Sequence, residues 1–274
     1  MVTILLMEIN MSDIMGSIFN VKHLDELSKQ KNLINNIHPL VKLIITLVYI
    51  CVLASFDRYE IIGMLPFVLY PVVVVMICDI PFGKLIKRVL IVEPFIIAAG
   101  ILNPIFDKNI IQLGSFAFSS GWLTFISLML KSTLMVTVGF LLIATTGIDD
   151  IARALSLMKI PSIFVLLFLL TYRYIFVLMD EASRLLKAYA LRAPEQKGVK
   201  IKVWGTMVGQ LLIRTYNRAQ TIYQSMILKG YNGRYNIAIG RGLRLTDTVY
   251  FVVWVAFIVA IRVINIPLLI ASLI

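Results

Sequence analysis

What most constrains this chain is a series of long apolar runs separated by short polar breaks: Leu40–Phe56, Ile61–Ile80, Val89–Phe106, Trp122–Thr146, Ile160–Met179 and Val249–Ile274. A helix needs about 20 mainly apolar residues to cross a bilayer, and most of these runs reach that length. The expected fold class is an all-α integral membrane protein with five to six membrane helices. Composition agrees, since 59% of the residues are hydrophobic and only 15% are charged, against about 45–50% apolar residues in a soluble domain. The apolar runs leave no separate soluble domain to read nucleic acid, so the net charge of +11 points to a cytoplasmic membrane face or an acidic partner.

Orientation follows from the short connections. Lys84, Lys87 and Arg88 form a basic loop that places the second connection inside. The N-terminal segment, residues 1–36, is then also inside, counted with Lys29, Lys31 and Lys42. The charge-balanced turn Asp57-Arg58-Tyr59-Glu60 falls outside. The opening "MVTILLMEINMSD" lacks a basic n-region and a small-residue cleavage site and does not read as a secretory signal. The first four membrane helices, within 37–146, return the chain to the cytoplasm at "TTGIDDIARALSLMK". Residues 147–246 form a basic, cytoplasmic or interfacial segment, and 247–274 hold a last membrane helix. Residues 180–246 carry twelve bases against three acids, most of the net charge of +11. Two paths keep that block inside. In one, Ile160–Met179 skirts the bilayer on the cytoplasmic side and continues into the block. In the other, it crosses and a return follows near "VWGTMVGQLLI" (203–213).

Two helix ends stand out within the block. "MDEASRLLKAYALRA" (179–193) consists of good helix formers, with acids early and bases late, as the helix dipole favours. Pro194 stops it, which leaves Arg192 in the last turn beside unpaired carbonyls. "LLIRTYNRAQTIYQSMILKGYNG" (211–233) ends in Lys229, with Gly230 at the first position past the helix and turn chemistry after it. Each helix finishes on a cation and a breaker. The bland account is basic C-capping. The functional one is a pair of cationic plugs for carboxylate-bearing grooves, with Arg192 offering the planar fork that Lys229 lacks.

"LTYRYIFVLMDEASRLLKAYALRA" and "MILKGYNG" resemble the transmembrane T component of energy-coupling-factor (ECF) importers, nearest to the cobalt-transport CbiQ branch. "IHPLVKLI" (37–44), "EPFIIAAGILNPIF" (93–106) and "ATTGIDDIARAL" (144–155) agree in order, so the likeness covers most of the chain from residue 37. The resemblance implies a non-catalytic scaffold. Its coupling helices dock on two cytoplasmic ABC ATPases through Leu191-Arg192-Ala193 and Leu228-Lys229-Gly230. Lys229 stands where the family pattern has arginine. The resemblance further implies a membrane-embedded, substrate-binding S component as partner, ATP and Mg on the ATPases with no cofactor on this chain, and cobalt ion as cargo, with nickel or a vitamin as alternatives. A different class, a self-sufficient channel or secondary carrier, would need polar residues at mid-span, and the runs offer few.

The remaining polar residues have structural roles open to them. No G-x-x-x-x-G-K-[ST] occurs, nor H-E-x-x-H or G-x-S-x-G. Glu93, inside an apolar run, is expected to reach Lys87, Arg88 or the interface as a structural partner, and is a candidate functional charge. Arg173 must pair or snorkel, with Asp180 and Glu181 within reach. Asp149 and Asp150 fit a helix N-terminus after a turn at Thr146 and Gly147. His38 suits the membrane interface. His23, His38, Cys51 and Cys78 lack metal-ligand spacing, so no metal site is expected.

Overall fold

A computed structural model describes residues 34–57, 60–80, 82–102, 104, 110–113, 116–192, 201–233 and 242–263. The chain forms two compact units. One is built from Leu27–Ala154 with Ile239–Ile274, and the other contains Leu155–Ala238. The first is a helical bundle: α1 (Pro39–Ala54), α2 (Ile61–Met64), a 3-10 turn (Leu65–Val68), α3 (Leu69–Ile77), α4 (Phe82–Gly100), α5 (Ser120–Thr146) and, late in sequence, α9 (Leu245–Val263). Helix α6 (Ile148–Leu157) carries the chain into the second unit, which holds α7 (Ser162–Arg192) and α8 (Ile201–Leu228). The all-α expectation holds, with one addition. The segment before α5 forms an antiparallel hairpin of β1 (Ile110–Leu113) and β2 (Phe116–Ser119).

Helices α5, α7 and α9 are long and apolar enough to cross a membrane, while Pro39–Ala54 and Ile61–Ile77 are shorter apolar stretches. The chain is a multi-pass membrane protein. Two expected boundaries move. The run Ile61–Ile80 is not one uninterrupted helix, because Pro66 and Pro71 remove two backbone donors. The backbone tightens to the 3-10 turn at the first. At the second, Phe67 loses the donor four residues on, and the Tyr49 hydroxyl donates to the Phe67 carbonyl at 3.0 Å instead. The basic "loop" is likewise helical, with Lys84, Lys87 and Arg88 in the first turns of α4. A left-handed residue, Asp79 (φ 49), makes the reversal that precedes it.

The bundle core gathers Ile45, Tyr49 and Leu53 of α1, Phe67 and Tyr70, Val138 and Leu141 of α5, and Ile258 of α9. Aromatic edges organise it. Tyr49 meets Phe67 at 5.5 Å, and Tyr70 meets Trp254 of α9 at 4.7 Å. Helices α4 and α5 come close at Gly100, where an added Cβ would lie 2.9 Å from the Phe125 ring. In lipid, helix association depends on such small-residue approach and on interhelical hydrogen bonds rather than on hydrophobic transfer.

Candidate functional site: two cationic helix tips

The ends of the bundle determine where the basic block begins and finishes. At one end, Lys42 of α1 is buried and its Nζ donates to the Thr145 carbonyl at the C-terminus of α5, 2.8 Å away. There too, fully buried Asp247 of α9 accepts from the His38 backbone N–H at 2.9 Å and from the Arg244 N–H at 2.8 Å. The His38 Nδ1 caps α1 by accepting from the Leu40 N–H. The N-termini of α1 and α9 therefore share an end with the C-terminus of α5. At the opposite end, Arg262 pairs with Glu60 at 3.3 Å and donates to the Ser55 carbonyl, while Lys131 donates to the Phe56 carbonyl. The chain leaves the bundle at Thr146 and returns at Leu245 on the same end. Residues 147–244 must then cross a membrane an even number of times. Either α7 and α8 both stay on one face, or both cross.

One reading from sequence is corrected here. Lys42 is not a tail cation facing the cytoplasm but a buried tie at the α5 terminus. His38 is the buried cap of α1 at the same end of the bundle, a place compatible with the membrane interface. Both follow from the geometry of helix ends, whose unpaired N–H and C=O groups must find partners once buried. Asp247 was not singled out in the sequence. Its signal was an acid just before the last apolar run, the composition of a helix start.

Helices α7 and α8 run antiparallel. Tyr174 of α7 lies under the Arg218 guanidinium of α8 at 5.9 Å. Further along α7, Glu181 accepts from Arg214, which lies earlier on α8. At a rise of about 1.5 Å per residue, Arg192 lies roughly 16 Å beyond Glu181 along α7, and Lys229 roughly 22 Å beyond Arg214 in the opposite sense. The two expected tips thus point away from each other. Arg192 occupies the last turn of α7, and Leu191 beside it is 84% exposed. Ala193 and Pro194 lie outside the described residues.

The end of α8 is built as its sequence suggests. Gly230 has φ 89, its N–H donates to the Ile227 carbonyl at 2.8 Å, and the Tyr231 N–H donates to the Met226 carbonyl at 2.9 Å. These two bonds make the Schellman motif, with Gly230 at the left-handed position. The motif turns the chain sharply away and leaves Lys229 exposed, beside Leu228 at 88% exposure.

Glu93 departs from the expected pairing, whereas Arg173 takes the exposed place that snorkelling requires. Glu93 does not pair with Lys87 or Arg88. It accepts from the Thr133 hydroxyl of α5 at 2.5 Å, and its Oε2 is buried without a partner among the described residues. Arg88 instead lies 5.7 Å over the Phe140 ring, and Lys87 is exposed. Arg173 is exposed and makes no ion pair with a described residue, because Glu181 is turned to Arg214 and Arg184. Asp149 and Asp150 take the expected place in the first turn of α6 after Gly147 (φ 68), and Asp150 pairs with Arg153 at 2.6 Å. Among the described residues, no three His, Cys, Asp or Glu side chains gather as a metal site.

Comparison with known proteins adds a family. The model of the CbiQ family, described as a cobalt transport protein, matches residues 30–238. An uncharacterized protein of Methanocaldococcus jannaschii is 23% identical over 82% of this chain and 80% of its own length. The nickel permease LarQ of Lactiplantibacillus plantarum is 24% identical over 52% of this chain and 55% of its own. A putative fused cobalt transport protein CbiMQ of Methanocorpusculum labreanum is 31% identical over 44% of this chain and 21% of its own.

Proposed function

The chain belongs to the CbiQ cobalt transport protein family, and from that premise we propose that it is the energy-coupling membrane subunit of an ECF-type importer. In this reading it hydrolyses nothing itself. Two partner ABC ATPases carry ATP and Mg, and a membrane S component holds the substrate. The observation that carries the reading is the pair of opposed helix tips, Leu191-Arg192 and Leu228-Lys229, each exposed and each beside a breaker. Tips that point apart suit two separate grooves, one on each ATPase, and each cation meets carboxylates there. The positive charge of Lys229 keeps the attraction but offers a point donor in place of the bidentate fork.

The reading also selects between the two paths. If α7 and α8 lie along the cytoplasmic face, both tips are cytoplasmic. If both helices cross, their antiparallel arrangement puts Arg192 and Lys229 on opposite faces, and only one tip can meet an ATPase. The basic residues Arg184, Lys187 and Arg192 favour the first arrangement, since such residues are retained on the cytoplasmic side.

The cargo in this reading is cobalt ion. Nickel is the second candidate, because one relative is named a nickel permease. Co-purification of the full chain with its co-expressed ATPases tests the coupling role. Arg192→Ala and Lys229→Ala are each expected to weaken ATPase retention and metal uptake. Full retention and uptake in both would end the proposal. In a background with Cys51 and Cys78 replaced by serine, Arg192→Cys and Lys229→Cys should both resist a membrane-impermeant thiol reagent added to intact cells and react in inverted vesicles. Competition between radioactive cobalt and nickel then ranks the two cargoes.

A further inference from the structure

We propose that Glu181 and Arg214 are positioning residues that set the crossing angle of α7 and α8, and with it the direction in which each tip points. The inference rests on the coupling reading above.

Most of the α7–α8 interface cannot fix an angle by itself. Between the helices lies an apolar cavity of 360 Å³, lined by Leu166, Leu170 and Tyr174 on one side and Ala219, Ile222 and Met226 on the other. Apolar contact is non-directional, and an interface with a gap of this size is not interlocked as a close-packed one is. Direction enters where the cavity ends. There Glu181 Oε1 accepts from Arg214 Nη1, which makes the one ion pair joining α7 to α8 among the described residues. The acid is the more enclosed partner, with its side chain 23% exposed against 54% for Arg214. Arg184, on the same helix, stands 4.0 Å from its other oxygen. Glu181 is thus held by a base on each side, and Arg218 over Tyr174 adds a second directional contact next to it.

The pair sits where small rotations are amplified. With arms of roughly 16 and 22 Å to the tips, a change of about 10° in the crossing angle swings a tip sideways by roughly 3 to 4 Å relative to the other helix. That displacement takes a side chain out of hydrogen-bond reach of a fixed groove. A pair this exposed is individually weak. Here that suits the role, since a contact that sets one geometry and yields during a transport cycle should not be locked.

The test uses the full chain, co-expressed with its ATPases and membrane partner and reconstituted in vesicles. Spin labels at Lys187→Cys and Thr206→Cys, which lie on the same side of the pair, report the distance between the two helices by pulsed electron resonance in the cysteine-free background. Glu181→Arg is expected to shift and broaden that distance and to lower ATP-driven uptake by roughly two- to fivefold or more, because it replaces attraction by repulsion from Arg214 and Arg184. Glu181→Gln should give a smaller change of the same kind. The exchanged pair, Glu181→Arg with Arg214→Glu, is expected to restore both the distance and the uptake. Wild-type distance and uptake in Glu181→Arg, or an exchanged pair no better than Glu181→Arg alone, would overturn the proposal. ATPase co-purification should weaken in Glu181→Arg, because displaced tips meet their grooves poorly, and return in the exchanged pair. Failure of the coupling reading shows separately, as ATPase binding that ignores Arg192→Ala and Lys229→Ala.

Discussion

At one end of the bundle the helices are tied by groups that water does not reach. Asp247 is fully buried and holds two backbone N–H groups, and Lys42 is 4% exposed and holds the Thr145 carbonyl. In the α7–α8 hairpin the comparable groups lie open. Arg214 is half exposed, Arg218 and Lys229 are exposed, and the helices flank a cavity rather than interlocking. The same residue types do different work in the two places. A buried charge with full hydrogen bonding fixes one geometry, because losing its partner strands a desolvated group. An exposed charge can exchange partners at little cost, which is what a docking surface requires.

Substitutions can break this contrast, and the largest effect is expected in the bundle. Asp247→Ala strands the His38 and Arg244 N–H groups and should cost about 2–4 kcal/mol, read as a large drop in the thermal midpoint of the purified chain in detergent. An Asp247→Ala protein as stable as wild type would show that the tie is not structural. Next comes Gly100→Ala, whose methyl group would press on the Phe125 ring. Forcing α4 from α5 should cost about 1–3 kcal/mol, and Phe125→Leu should recover part of it in the same assay. The smallest effect is expected at the tips. Arg192→Ala, Lys229→Ala and Lys229→Arg should each change stability by less than about 0.5 kcal/mol, with Lys229→Arg keeping ATPase binding. A tip substitution that unfolds the chain would instead make the cation a structural cap.

Much of this was legible in the sequence because it depends on local chemistry. Apolar runs gave the helices, and "LKGYNG" gave the left-handed stop at Gly230 because only an unbranched backbone takes φ 89 without strain. Asp149 and Asp150 announced a helix start. Glu93 was misjudged for a reason that sequence spacing hides. Lys87 and Arg88 lie near it along the chain, yet Thr133 of another helix reaches it first. Lys42 looked like the edge of a basic tail, and only its burial against α5 shows otherwise. The hairpin of β1 and β2 was also missed, since two strands of four residues give too short a pattern to stand out among apolar helices.

The amino-acid sequence by itself determined that the chain is helical, sits in a membrane, keeps its bases in one block and ends two helices on a cation. Those properties follow from transfer energies, backbone conformation and charge, all of which act residue by residue. Only the tertiary structure decided which charges are ties and which are free tips, that the chain leaves and re-enters the bundle at one end, and that Arg192 and Lys229 point in opposite directions. Each of these depends on which helices lie side by side and in what sense, and partners such as His38 and Asp247 are brought together by packing from opposite ends of the chain.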